Sequence, residues 1–436
     1  MIMPDEFEKY QEENLRFKEQ IEERTGKTVE QLYAERLKRV RDVIELKEPD
    51  RVPFLVLIDT QAHYGIPNST SYYDPFTLRK TMRQVAIDLE PDMSEAGFAS
   101  CGAAMTTLDV KSSVWPGGPV PDDYEYQFIE AENMKADEYD MFLNDPTGFM
   151  IRCYLPRIYG ALAPLSKLPP MDNMLNGFEG LTPLFTSPEF LEMAKKMFEA
   201  GNQIKEFYKT GNAQGDLAQL GFPPFASFAP GGVGGAPFDT ITSFLRGMKG
   251  SMLDMYRQPD KLIRACEVIL ERRIARSMPA DTSHRDFPQK IAMPLWRGDP
   301  NFMSDEQFRK FYWPGLKKSL QTHVDLGYVP VPFFESKFGN RLEYLLELPK
   351  GKILASTDAE DAVLAKEILG GHTSQLVRCP NSSKVWSISK LESFLKDTID
   401  KCGKGGGLIF ALLLPDKAKL EDIQAMLKSI KEYGRY

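Results

Sequence analysis

Cysteine is sparse in this chain: five residues, at positions 101, 153, 266, 379 and 402, odd in number and far apart. That spacing excludes a disulfide framework and reads as thiols of a reducing compartment, so a cytoplasmic location is expected. Long hydrophobic runs are missing too. No uninterrupted apolar stretch reaches the roughly 20 residues of a transmembrane helix, so no membrane association is expected. An excess of positive charge is also lacking. The net charge is −8, which argues against nucleic acid as a partner, because neutralising phosphates needs a clustered cationic surface. The opening segment MIMPDEFEKYQEENLRFKEQIEERTGK is acidic and helical in pattern, without the basic start and apolar stretch of a signal peptide. Nucleotide motifs are absent as well. APGGVGGAPFDT lacks both the Gly-Lys-Ser/Thr ending of a phosphate loop and the third glycine of a dinucleotide fingerprint. GKGGG at 403–407 precedes a strand rather than joining strand to helix, which is the wrong context for anion binding. Turns account for both.

What is present describes a globular protein. The 436 residues are 42% hydrophobic and 27% charged, enough for one elaborated domain or two ordinary ones. The informative stretch runs from Met293 to Asp361. There the apolar runs MPL, VPVPFF and KILAS end on Trp296-Arg297, Glu335 and Asp358, with a helical pattern after the first. Strands that each stop on a polar residue, with helices between, point to a parallel α/β sheet whose polar rim lies at the strand C-termini. Ser304 with Gln307 and Ser389 with Glu392 read as capping boxes. Pro314 should break or kink its helix, and Gly327 ends the helical segment beyond it. SQLVRC and GKGGGLIFALLL supply further strands, Gly221 to Phe228 another, and one more ends near Glu130 or Glu132. The first strand starts at Pro53 and ends at Asp59. The fold class expected is therefore α/β, a (β/α)8 TIM barrel over 49–436 with an N-terminal helical extension over 1–48 and a long insertion after the first strand.

The rim positions are the candidates for chemistry. Glu335 fits a metal ligand or a general acid/base whose pKa burial raises; the alternative is a salt bridge with Lys337 or Arg341. Asp358 is a second oxygen ligand, an orienting group, or the cap of the next helix. His372 and Cys379 bracket the next strand, and with Glu335 and Asp358 they form a set able to bind zinc. His372 follows two glycines, though, and falls toward the strand's N-terminal end. Trp296 and Arg297 close their strand; Trp296 either walls a pocket for an apolar or cationic substrate or packs in the core. His63 follows the first strand and points into the mouth or hydrogen-bonds within its loop. Gly234, in the glycine-rich 230–237 loop, lets backbone approach a ligand closely.

Several segments, in order, resemble the uroporphyrinogen decarboxylase superfamily: ERLKRVRDVIELKEPDRVPF, FIEAENMKADEYDMFLNDP, FDTITSFLRGMKGSMLDMYRQPDKL, the 293–361 stretch, and DAVLAKEILGG with KCGKGGGLIF. The resemblance implies a (β/α)8 barrel and either decarboxylation or methyl transfer with corrinoid proteins. The tetrapyrrole decarboxylases carry an N-terminal arginine cluster for their polycarboxylate substrate. Here the matching place, DRVPFLVLIDTQAHYG, has none. The thiol-methylating members hold zinc with His-x-Cys and a later Cys. In this chain those places read Glu335-Ser336-Lys337 and LIFALLLP. None of the four histidines sits in the Asp-x-His-x-x-Gly motif that binds a corrinoid's cobalt, so any corrinoid belongs to a separate protein.

The expected activity is that of a methyltransferase that demethylates a small methylated compound, held near Trp296, Phe334 and Gly234, and passes the methyl to a corrinoid protein. Glu335, alone or with zinc, would act on the leaving group. Two alternatives remain open at this point: a decarboxylase or lyase working without corrinoid, and a binding barrel without catalysis. The expected partners are the corrinoid protein and the methylated substrate, with room for a homodimer.

Overall fold

The structure, a computed structural model, describes residues 4–57, 60–95, 97–170, 179, 181–211, 213–227 and 235–436. Its apolar runs form the strands β1 (Phe54–Leu57), β2 (Ser113–Val114), β3 (Gln127–Phe128), β4 (Lys290–Leu295), β5 (Val329–Phe334), β6 (Leu354–Asp358), β7 (Ser374–Arg378) and β8 (Leu408–Leu413). Six of them make one parallel sheet in the order β1-β8-β7-β6-β5-β4, while β2 and β3 form a separate antiparallel pair. The sheet's two edges are linked by isolated parallel bridges: Leu55 to Met93, Ser94 to Pro224, and Ser227 to Ile291. The sheet therefore curls toward itself.

Two expectations are corrected here. The strand expected over 221–228 is reduced to bridges at Pro224 and Ser227, because Pro223 and Pro224 have no N–H to give a ladder; Phe228 lies outside the described residues. The long excursion was expected directly after the first strand. Instead the chain rejoins the edge of β1 at Met93, and the Asp92 amide donates to the Phe54 carbonyl. The long departure from the sheet follows Glu95. The strand expected near Glu130 is the short β3, paired antiparallel with β2.

The N-terminal helices do more than precede the sheet. Helix α1 spans Pro4–Thr25, and α2, Val29–Ile44, starts with a Thr28/Gln31 capping box. Val40, Val43 and Ile44 of α2 share a buried cluster with Leu55, Met93, Val329, Val331, Leu354, Leu376, Ile409 and Ala411. Val329 and Leu354 are the first residues of their strands, so α2 plugs the end opposite the rim. The GKGGG turn accommodates it. Gly406 has φ +74°, and a Cβ there would meet the Lys47 carbonyl oxygen at 2.6 Å. Only glycine serves at that position.

Helices cover the outside. Ile291, Met293, Leu295 and Phe334 pack outward against Phe308, Phe311, Tyr312, Leu316 and Leu320. Ser304 and Gln307 form the expected capping box, and Pro314 is absorbed by a π-helical turn over Phe308–Tyr312 that leads into Trp313–Asp325. The second box is misplaced by two residues. Ser387 is the N-cap of Ile388–Cys402, and Glu392 turns instead to Ser429 and Lys396. Among the described residues no helix is long and apolar enough to cross a membrane.

Candidate active site

The prolines of β5 shape the site. Val329 and Glu335 donate their amides toward β4, to Gln289 and Leu295. Alternation then points residues 330, 332 and 334 toward β6. Two of these are prolines, so the ladder to β6 loses donors and keeps one register pair, Phe333 with Ser356. Arg378, at the end of β7, reaches over β6 into this gap. It donates to the Phe334 carbonyl, and to the carbonyl and hydroxyl of Ser356 at 3.2 and 3.3 Å. Its guanidinium lies 3.9 Å from the Phe333 ring centroid. Burial pushes the Arg378 pKa down, with Asp358 and Glu335 opposing.

Glu335 stands one residue beyond β5. Burial by its surroundings raises its pKa, against the pull of Arg378 and Arg297, although part of the side chain is open to solvent. Neither candidate salt-bridge partner is engaged with it. Lys337 pairs with Glu360, and Arg341 donates to the carbonyls of Gly298 and Met303. Asp358, beside Arg378 in register, accepts from the Glu360 amide at 2.9 Å and so caps the next turn.

Glu95 follows Ser94 at the same end of the fold. Burial alone pushes its carboxyl up to about 7, and no hydrogen bond or ion pair to it is found among the described residues. On the β4 side, Asp239 accepts from the amides of Trp296 and Arg297 at 3.4 and 3.0 Å and from the Tyr312 hydroxyl at 2.7 Å. Burial raises it to about 7 despite those bonds. The Trp296 indole donates to Ser243 at 2.6 Å, which holds it against the helical turn over Ile241–Leu245. Arg297 pairs with Glu130 at 2.6 Å.

The sequence candidates thus divide. Glu335, Asp358, Trp296 and Arg297 stand at the rim. Phe334 is buried on the outer face, its ring 4.4 Å from that of Phe338. His63 is half-buried on the short helix Thr60–Tyr64 that follows β1. Gly234 and Asp59 lie outside the described residues. The four-residue zinc set is not brought together. His372 precedes β7, bonded to the Thr373 hydroxyl, at the opposite end of the strand from Arg378 and Cys379. Cys379 faces the outer core, where burial pushes its thiol up to about 12. Among the described residues no group of three or more His, Cys, Asp or Glu is placed to hold a metal ion.

Glu95, Arg378 and Asp239 were missed. Arg378 had a signal, a charge closing the apolar run SQLV. Glu95 and Asp239 follow no apolar run, and nothing in their surroundings marks them.

No family model matches the chain, and no curated protein does. Among solved structures, a methyltransferase from Methanosarcina mazei matches with a TM-score of 0.54 and 14% identity, over 91% of this chain and 98% of that one. The likeness is one of fold. It spans nearly the whole chain.

Proposed function

We propose that this chain closes as a (β/α)8 barrel and is a methyltransferase of the cytoplasm, moving a methyl group from a small methylated compound to a corrinoid carried by a separate protein. Closure is supported by the three parallel bridges between β1 and β4. The observation that carries the activity is the pairing of two protonatable carboxyls, Glu95 and Glu335, with the buried Arg378 at one rim, on a fold like that of a solved methyltransferase.

The chemistry asks for an acid. When a methyl group leaves an oxygen or nitrogen, the bonding electron pair stays on that heteroatom, which then needs a proton. Burial brings the Glu95 carboxyl up to about 7, so that it is partly protonated near neutral pH, and raises that of Glu335; either can donate the proton. Arg378 offers a fixed positive charge to an anionic part of the substrate, and Trp296 and Arg297 wall the β4 side. The corrinoid, held by its own protein, supplies the nucleophile that accepts the methyl. Zinc does not fit the set Glu335, Asp358, His372 and Cys379, because His372 stands at the opposite end of its strand from Cys379.

The test is an anaerobic cobalt(I) assay with purified corrinoid protein and a panel of methyl ethers and methylamines. Loss of the cobalt(I) absorbance with one donor supports the reading; silence across the panel counts against it. Unchanged turnover in Glu335→Ala would remove that residue from the mechanism. A second reading, decarboxylation or carbon–carbon lysis without corrinoid, is favoured by Arg378, a buried cation able to hold a carboxylate next to an acid. Carbon dioxide released from a carboxylated substrate in the absence of corrinoid would select it.

A further inference from the structure

Residues 121–132 are all exposed, twelve in succession, yet the segment is tied down along its length. Its first part rests on the loop after β1: the Ser69 amide donates to the Asp122 carbonyl at 3.0 Å, and the Asn68 amide group donates to the carbonyls of Asp123 and Tyr124 at 3.1 and 3.2 Å. Glu125 then pairs at 3.7 Å with Lys384, on the turn that follows β7. At the far end Glu130 binds Arg297, directly after β4, at 2.6 Å and accepts from the Met248 amide at 2.8 Å.

Those anchors straddle the site. β7 and β4 are separated in the sheet by β5 and β6, the strands that carry Glu335 and Asp358. Three inter-strand steps of about 4.8 Å amount to roughly 14 Å. The five extended steps from 125 to 130 reach at most about 17 Å. That is long enough for a direct path over the ends of β5 and β6. Its residues stay exposed all the same: β3 in its middle pairs with β2, and the Phe128 ring meets only the edge of the site, at Phe244, 5.5 Å away.

We propose that residues 121–132 form a strap across the mouth that sorts molecules by size: small ones pass beneath it, bulky ones enter only when it lifts. The ties decide where it gives way. Glu130 is held twice and its side chain is 31% exposed, whereas that of Glu125 is 80% exposed and has one ion pair, at 3.7 Å, to Lys384. A pair 3.7 Å apart whose carboxylate stands in water is weak and screened by salt. The strap therefore gives way at Glu125, between the ties of residues 122–124 to Asn68 and Ser69 on one side and the doubly held Glu130 on the other. Resting on the proposed function, this makes the strap the element that lets the methyl donor in freely and admits the corrinoid-bearing protein only when raised.

The test needs neither donor nor corrinoid, so its failure is distinct from failure of the methyl-transfer reading. In a Cys153→Ser background, Glu335→Cys serves as a reporter thiol at the rim. It is labelled with methyl methanethiosulfonate or with a polymer-linked maleimide, and labelling is tracked by mass spectrometry of the peptide. Adding Glu125→Lys should speed labelling by the bulky reagent about two- to fivefold, the range expected for loss of an exposed ion pair, and leave the small reagent unchanged. Combining Glu125→Lys with Lys384→Glu should restore the slow bulky rate, and raising salt should mimic the single variant. Glu125→Gln provides the same break without a charge reversal. Equal bulky labelling in all variants, or equal acceleration of both reagents, overturns the strap.

Discussion

Arg378 donates to the Phe334 carbonyl while its guanidinium covers the Phe333 ring at 3.9 Å. One side chain from β7 thereby repairs the ladder that two prolines interrupt between β5 and β6. Replacing Arg378 by Met leaves buried carbonyls without donors and should destabilise the fold by about 2–3 kcal/mol. Lysine keeps the charge but loses the planar fork and the stacking, so Arg378→Lys should recover only part of that loss. Urea denaturation of both variants reads it. A change below about 0.5 kcal/mol in Arg378→Met, the size of an ordinary surface substitution, would show that the gap does not depend on this side chain.

Asp239 should make the protein less stable as pH rises. Its folded pKa, about 7, lies above the ordinary value of 3.8, so between those values the folded state holds more protons than the unfolded one. The stability it contributes is complete below about pH 4 and is lost as pH climbs to about 7. In Asp239→Asn the amide cannot ionise. The stability of this variant relative to wild type should rise by up to about 1.4 kcal/mol per pH unit across the window, levelling off above it. Denaturation curves of both proteins at pH 5, 6, 7 and 8 measure the difference. A flat difference would mean that the carboxyl ionises without cost in the folded state.

Glu95 should appear in the rate profile. A general acid with a pKa of about 7 gives a kcat/KM that falls as pH rises through that value. Glu95→Gln should remove this limb and lower kcat by about 10²–10⁴ with little change in KM. If the limb persists in Glu95→Gln and vanishes in Glu335→Gln, the acid is Glu335.

Much of the sheet was legible because its strands are short apolar runs stopped by polar residues. VPVPFF-Glu335 and KILAS-Thr-Asp358 announce both strand and rim. The strand position at Met93 was not legible, since PDMSE carries one large apolar residue, whereas GFPPFAS reads as a strand and keeps only the bridges at Pro224 and Ser227 because it spends two positions on proline. The zinc set failed for a reason of register. His372 and Cys379 flank one five-residue strand, and the two ends of a strand face opposite ends of the fold. Asp239 and Glu95 are carboxyls made unusual by burial alone, and burial at a rim depends on which distant segments pack over it.

Asp92 joins the foot of the fold to the rim and gives the last prediction. Its buried carboxylate binds Arg39 of α2 at 2.5 Å, Arg51 at 2.7 Å and the Phe54 amide at 3.0 Å, three residues before Glu95. Burial opposes the charge, but Arg51 and Arg39 outweigh it and hold the carboxyl below the usual range. This stability is therefore present above the unfolded pKa of about 3.9 and is lost as pH falls through the lower folded value. Asp92→Asn leaves the buried Arg39 and the partly buried Arg51 facing a neutral amide and should cost about 3–5 kcal/mol at pH 7, moderated because Arg39 also pairs with Asp50. The gap between wild type and variant should narrow at pH 3. Because Asp92 fixes the backbone that leads to Glu95, the variant should also lose the pH limb assigned to Glu95 even at temperatures where it stays folded. Denaturation at pH 7 and pH 3, with a rate profile at low temperature, tests both parts. A folded Asp92→Asn protein that keeps the limb would separate the foot from the rim.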